Sequence, residues 1–172
     1  MKNNLITGLV LSVFALICGL MLSVVNMFTA PIIEERKEEK INNSIMEVCE
    51  IYRENKNTYT IDKESITHDE VDSVYLIKNE NGEKVEVIYI ISAKGYASTI
   101  QMMISVTKDH KIEKSVVISS AETKGNIKTH DFNMEGKDSL DSFDKLAGST
   151  ISSKAVRKCF YTALDLSYED LK

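Results

Sequence analysis

The chain has 172 residues, 43% of them hydrophobic and 27% charged, with a formal net charge of −5. That length suits one modest domain with a short appendage rather than two full domains, and the ordinary charged fraction argues against wholesale disorder. The acidic balance argues against a nucleic-acid binder, which needs a basic footprint. One proline and seven glycines exclude collagen-like and proline-rich repeats.

The apolar residues are unevenly placed. Between Lys2 and Glu34 lie 31 residues without a charge, and every acidic residue lies beyond them. Residues 5–28 read LITGLVLSVFALICGLMLSVVNMF. A helix needs roughly 20 apolar residues to cross a hydrocarbon core of roughly 30 Å, so this run is long enough. A cleaved signal peptide is the rival reading. The run is too long for one, Phe28 fits poorly three residues before a cut, and Pro31 would follow a cut after Ala30. We therefore read residues 1–30 as an uncleaved membrane anchor and residues 31–172 as the domain it carries. Lysine and arginine counts do not orient it, because Lys2 and the α-amine on one side face Arg36, Lys37 and Lys40 on the other.

Residues 31–53 read as a helix. Ile41, Ile45, Val48, Cys49 and Tyr52 form one apolar stripe at helical spacing. Pro31 is acceptable in a first helical turn, and the EERKEEK run is a solvated face with i, i+4 charge pairs. Residues 54–70 read as a polar loop with a short strand near 59–61. His68, Asp69, Glu70 and Asp72 cluster there, but without a second group at ligand spacing they are solvated loop charges rather than a metal site.

Strands follow. Residues 71–77 and 84–91 are β-branched and aromatic runs around Asn79-Glu80-Asn81-Gly82-Glu83, and an Asn-Gly pair marks a hairpin. Residues 99–107 and 112–119 flank a second turn at 108–111, and Gly95-Tyr96 separates the two hairpins. The expected fold is α+β: an N-terminal transmembrane helix, then an antiparallel sheet of about four strands covered by helices. Residues 120–146 form a long polar loop. A last helix starts near Ser152, with Ala155, Val156, Cys159, Phe160, Ala163 and Leu164 on its apolar stripe.

Much chemistry is absent. The three cysteines, Cys18, Cys49 and Cys159, make no C-x-x-C pair, which excludes an iron–sulfur cluster or attached haem. Cys49 and Cys159 sit on apolar stripes as small hydrophobes, although a disulfide between them remains open for a domain outside the cell. His68, His110 and His130 are isolated, and there is no Walker loop or dinucleotide-binding G-x-G-x-x-G.

One constellation remains: Asp144-Lys145-Leu146-Ala147-Gly148-Ser149-Thr150-Ile151-Ser152-Ser153-Lys154. Gly148 allows a tight turn, and four hydroxyls gather where an amphipathic helix begins. Free N–H groups and the positive dipole end of a first helical turn favour an anion, and Lys154 adds a mobile charge. Read alone, the segment is more simply a helix N-cap.

The segment resembles the flavin-attachment motif, roughly D-x-x-S/T-G-A-T-x-S/T-S, of the FMN-binding domain family. That family includes the G subunit of the Rnf ion-translocating electron-transport complex and the C subunit of the sodium-pumping NADH:quinone reductase. A second stretch also resembles the family: Ala93-Lys94-Gly95-Tyr96, the hairpin that follows, then Ala121-Glu122-Thr123-Lys124-Gly125, where the family commonly reads E-T-P-G-L-G. Ala147 and Ser149 depart from the attachment motif, and Lys124 and Asn126-Ile127 from the second segment.

The resemblance implies FMN joined through its phosphate to the Thr150 oxygen, a bond made from FAD by a separate flavin transferase. It places Gly148, Ser149, Ser152, Ser153 and Lys154 around the phosphate, and Tyr96, Glu122 and Thr123 at the flavin. It implies a single-pass protein with its N-terminus in the cytoplasm and its FMN domain outside. The domain would relay electrons among the other membrane subunits of an Rnf-type ferredoxin:NAD oxidoreductase, without binding NAD or nucleic acid. Two alternatives stand beside it. One is a membrane-tethered extracytoplasmic binding or assembly domain that has lost the flavin. The other is the quinone-reductase subunit, disfavoured by the short length and compact 54–70 region.

Overall fold

A computed structural model describes residues 2–64, 68, 71–123 and 126–172, the side chains of residues 2–5 excepted. Asp69, Glu70, Lys124 and Gly125 lie outside the described residues. The chain divides into two compact units, Met1–Lys40 and Ile41–Lys172.

The first unit belongs to helix α1 (Lys2–Val48). Its large side chains are exposed on every side, Leu9, Phe14, Leu22 and Phe28 among them. A helix apolar all round needs an apolar medium rather than a water-facing side. α1 is long and apolar enough to cross a membrane. Two of its hydroxyls bond within the helix, Ser12 Oγ donating to the Leu9 carbonyl at 2.8 Å and Thr29 Oγ1 to that of Val25 at 2.8 Å. Pro31 lies inside α1 rather than at the start of a second helix. Its missing N–H removes one ladder bond, but helix continues on both sides.

The helix ends sooner than the stripe predicts. Cys49 leaves it with φ −109° and ψ 98°, and α2 (Glu50–Glu54) resumes at once. The break turns the Cys49 thiol to donate to Glu86 Oε2 at 3.0 Å.

The second unit is built on a five-stranded antiparallel meander, β1 (Thr60–Glu64), β2 (Val71–Lys78), β3 (Lys84–Lys94), β4 (Thr99–Thr107) and β5 (Ile112–Ser119), in spatial order β1-β2-β3-β4-β5. The predicted four strands are β2 to β5, and the short strand expected near 59–61 is β1, which joins the sheet as an edge strand. The β2–β3 turn is tied by Asn79, whose Oδ1 accepts from the N–H groups of Asn81 and Glu83, and Gly82 takes φ +78° there.

Side chains alternate between the two faces. One face puts Val87, Tyr89, Ile91, Ile100, Met102 and Ile104 against Val156, Cys159, Phe160 and Ala163 of α3 (Thr150–Asp170). The other puts Ile77, Ile88, Ile90 and Met103 against Ile45, Val48 and Cys49. β3 and β4 are therefore buried on both faces, which their near-continuous apolar sequences require. The possible Cys49–Cys159 disulfide is ruled out: the sheet lies between the two thiols, and both are free and buried. The far end of α3 is pinned by Asp170, which accepts from Tyr89 Oη through Oδ2 at 2.7 Å and from Lys84 Nζ through its carbonyl at 2.7 Å.

Candidate functional site

α3 begins at Thr150, two residues earlier than the apolar stripe predicts. Gly148 reverses the chain at φ +72°, a backbone conformation that suits glycine. Ser149 occupies the N-cap position with φ −129° and ψ 57°, but its side chain caps nothing; its carbonyl accepts the Ser153 N–H at 2.9 Å. The helix-cap account of the four hydroxyls is thus incomplete. Ser153 closes the turn another way, its Oγ accepting the Leu146 N–H at 3.0 Å. Thr150 stands exposed in the first turn.

Beside Thr150 opens a cavity of about 400 Å³. Tyr96, Glu122, Thr123, Gly148, Ser149 and Ser152 line it, so seven of the nine residues singled out in the sequence meet here. Its volume lies within the usual range for small-molecule sites. Ser153 and Lys154 are not part of it. They line a second cavity, of about 680 Å³, on another side of Thr150, with Lys145, Arg157 and the apolar Phe143 and Leu146. Thr150 borders both. Sequence reasoning missed Arg157, although a helical period places it one turn beyond Lys154 and two beyond Thr150.

Glu122 is the hub of the smaller cavity. Its Oε1 accepts the Ala97 and Ser98 N–H groups, each at 2.9 Å, and its Oε2 accepts the Ser152 hydroxyl at 2.6 Å. Burial pushes the carboxyl up, but the Ser152 hydroxyl and the backbone N–H groups of Ser98, Ala97 and Tyr96 outweigh it and hold it below the usual carboxylate range. Ser152 is thereby spent on Glu122, not left free for a phosphate. Tyr96 stands 76% exposed at the rim, and Ile151, a further lining residue, is also exposed. Both offer apolar surface where a planar ring could lie. Ala97 and Ser98 are functional neighbours that spacing alone did not reveal, because they reach Glu122 from about 25 residues away.

The donor set fits FMN. A phosphoryl group needs anion donors, and a first helical turn that its N-cap side chain leaves uncapped supplies them beside Lys154 and Arg157. A flavin ring needs an apolar-edged cavity of the observed size.

Comparison with protein families agrees with this geometry. The FMN-binding domain model matches residues 95–165, from the Gly95 turn into α3, and so encloses every residue lining the smaller cavity. The RnfG N-terminal region model matches residues 1–48, the whole of α1. No curated protein sequence matches the chain. An FMN-binding domain, over residues 95–165, thus follows an N-terminal region of the RnfG type, the pairing of an Rnf-type FMN-binding subunit.

Proposed function

We propose that FMN is carried on Thr150 as a phosphoester and that the chain relays electrons inside an Rnf-type ferredoxin:NAD oxidoreductase complex. The observation that carries this reading is the exposed Thr150 hydroxyl, one wall of a cavity of about 400 Å³ shared with Tyr96, Glu122 and Thr123. Gly148 lets the backbone turn there, and the first-turn N–H groups with Ser149 would surround the phosphoryl group. Lys154, joined by Arg157, would neutralise it from the second cavity. FMN, when bound, supplies reversible electron transfer; the protein supplies position and electrostatics. An ester to the chain would keep the cofactor from escaping a domain outside the cytoplasm.

The attachment would be made by a flavin transferase from FAD. The span within residues 1–30 would place the N-terminus in the cytoplasm and residues 31–172 outside, among the other membrane subunits of the complex. The test is direct. Co-expressed with a flavin transferase, the full chain gains the mass of FMN minus water and fluoresces in a denaturing gel, and Thr150→Ala loses both signals while keeping its fold. Label persisting in that variant refutes the attachment point. Ala147 and Ser149, the departures from the attachment motif, favour one second reading, a tethered binding or assembly domain without flavin. An unlabelled natural protein would select it.

A further inference from the structure

We propose that Glu122 is a positioning residue: its carboxylate, seated against Gly95, clamps the β3–β4 turn to the first turn of α3 and so holds Thr150 and its cavity in the geometry that receives the flavin. The inference rests on the attachment reading and assigns Glu122 a role other than direct contact with the cofactor.

Three segments far apart in sequence meet at this carboxylate. The turn between β3 and β4 gives the Ala97 and Ser98 N–H groups, and α3 gives the Ser152 hydroxyl. The loop after β5 brings Glu122 itself, and it is fastened in return: the Ala121 N–H donates to Ser98 Oγ at 2.9 Å and the Glu122 N–H to Ser120 Oγ at 3.2 Å. Both carboxylate oxygens are therefore engaged by the protein.

Gly95 is shaped for this arrangement. A Cβ there would stand 2.5 Å from Glu122 Oε1, 2.8 Å from Ile100 Cδ1 and 2.9 Å from the Ser98 carbonyl oxygen. The carboxylate could swing away from it, but only by dropping the Ala97 and Ser98 N–H groups, and the Ser98 backbone cannot yield without opening the turn. Ser152 sits two residues after Thr150, so its bond to Glu122 sets where the first turn of α3 lies against the cavity wall.

The clamp acts through hydrogen bonds at that point, which the carboxylate makes most strongly and a neutral amide still makes, rather than through a field on the flavin. Gln at 122 keeps an oxygen for both N–H groups and presents its amide to the Ser152 oxygen. A residue acting on the flavin through its charge would not survive that replacement. The experiment follows covalent flavin incorporation in the full chain, co-expressed with a flavin transferase, by in-gel fluorescence and intact mass. Misplacing a reacting group by about 1 Å costs up to about a hundredfold, so Glu122→Ala and Gly95→Ala are expected to slow incorporation by about tenfold or more. Ser152→Ala, which cuts one arm and no packing, falls between them and the unaltered chain, and stays informative if the other two fail to fold. Glu122→Gln recovers incorporation relative to Glu122→Ala, with the flavin midpoint potential unchanged.

Incorporation as poor in Glu122→Gln as in Glu122→Ala overturns the clamp in favour of a charge effect. Unimpaired incorporation in both Gly95→Ala and Ser152→Ala overturns it outright. Label surviving in Thr150→Ala overturns the attachment reading and this one with it. Label lost there but unimpaired in Gly95→Ala and Ser152→Ala overturns the clamp alone.

Discussion

Two glutamates of the domain have opposite fates, and the contrast shows what sets the charge of a carboxyl in this fold. Glu122, at the cavity wall, is surrounded by N–H and hydroxyl donors and is held below the usual carboxylate range. Glu86, on β3, is fully buried among Ile45, Val48, Ile88 and Met103 on the face covered by the end of α1. Burial raises its carboxyl to about 9; the Cys49 hydrogen bond works against this, and Glu113 adds to it. Ser105 Oγ and Cys49 Sγ donate to its two oxygens, while Glu113 Oε2 is buried without a partner. Backbone N–H groups do not titrate away, so they stabilise the anion; an apolar wall with a second carboxyl beside it stabilises the acid. The same contact pushes the Cys49 thiol upward, through burial first and then the nearby Glu86, so that thiol is an inert hydrogen-bond donor rather than a nucleophile.

The contrast can be broken at the buried end first. Glu86→Ala should cost about 2–4 kcal/mol in denaturant unfolding, because it leaves a cavity and strands the Cys49 thiol and the Ser105 hydroxyl. It should leave covalent flavin incorporation intact in the chain that still folds; a loss of incorporation there would mean that the two regions are coupled.

Glu86→Gln sharpens the point through pH. Below its ordinary value of 4.5 the carboxyl holds its proton folded or unfolded, so stability is fully present. As pH rises towards about 9 the unfolded chain gives up the proton and the folded one does not, so stability falls. The slope reaches about 1.4 kcal/mol per pH unit, and Glu86→Gln should flatten it. Equal slopes in the two proteins would mean that Glu86 is ionised in the fold.

Glu122 predicts the reverse sign. Its lowered carboxyl stabilises the clamp above the ordinary carboxylate value, and that contribution is lost as pH falls through the folded value. Hydrogen-exchange protection of the Ala97 and Ser98 amides should therefore drop selectively on acidification, and Glu122→Gln should remove the drop. Protection independent of pH would show that the carboxylate does not hold those amides. The smallest effect is expected at Gly148, where a Cβ meets nothing within 4 Å and only φ +72° opposes it; Gly148→Ala should cost about 1 kcal/mol by thermal melting.

The elements with local causes are legible in the amino-acid sequence. The hairpin at Asn79–Gly82 follows from residues that bond their own neighbours, and the stripe of α3 from Ala155 to Leu164 follows from helical period. The span of α1 shows in composition, because nothing charged interrupts it. Less visible are the extent of β1 to Glu64 and its pairing with β2, which offers its polar sequence an edge, and the break at Cys49, which serves a partner 37 residues away. Within the site, the motif names Thr150 and Glu122 but not the link between them through Ser152.

Sequence alone determined which segments would form helix, strand and turn and which hydroxyl would stand at the mouth of the last helix, since those depend on residues within a turn or two of one another. Only the tertiary structure decided that Glu122 is an anion holding two loops together and that Glu86 keeps its proton. It also decided that Cys49 and Cys159 can never meet. The physical reason is common to all three: the charge and reach of a side chain depend on which donors and which apolar walls surround it, and those come from strands and loops remote in the chain.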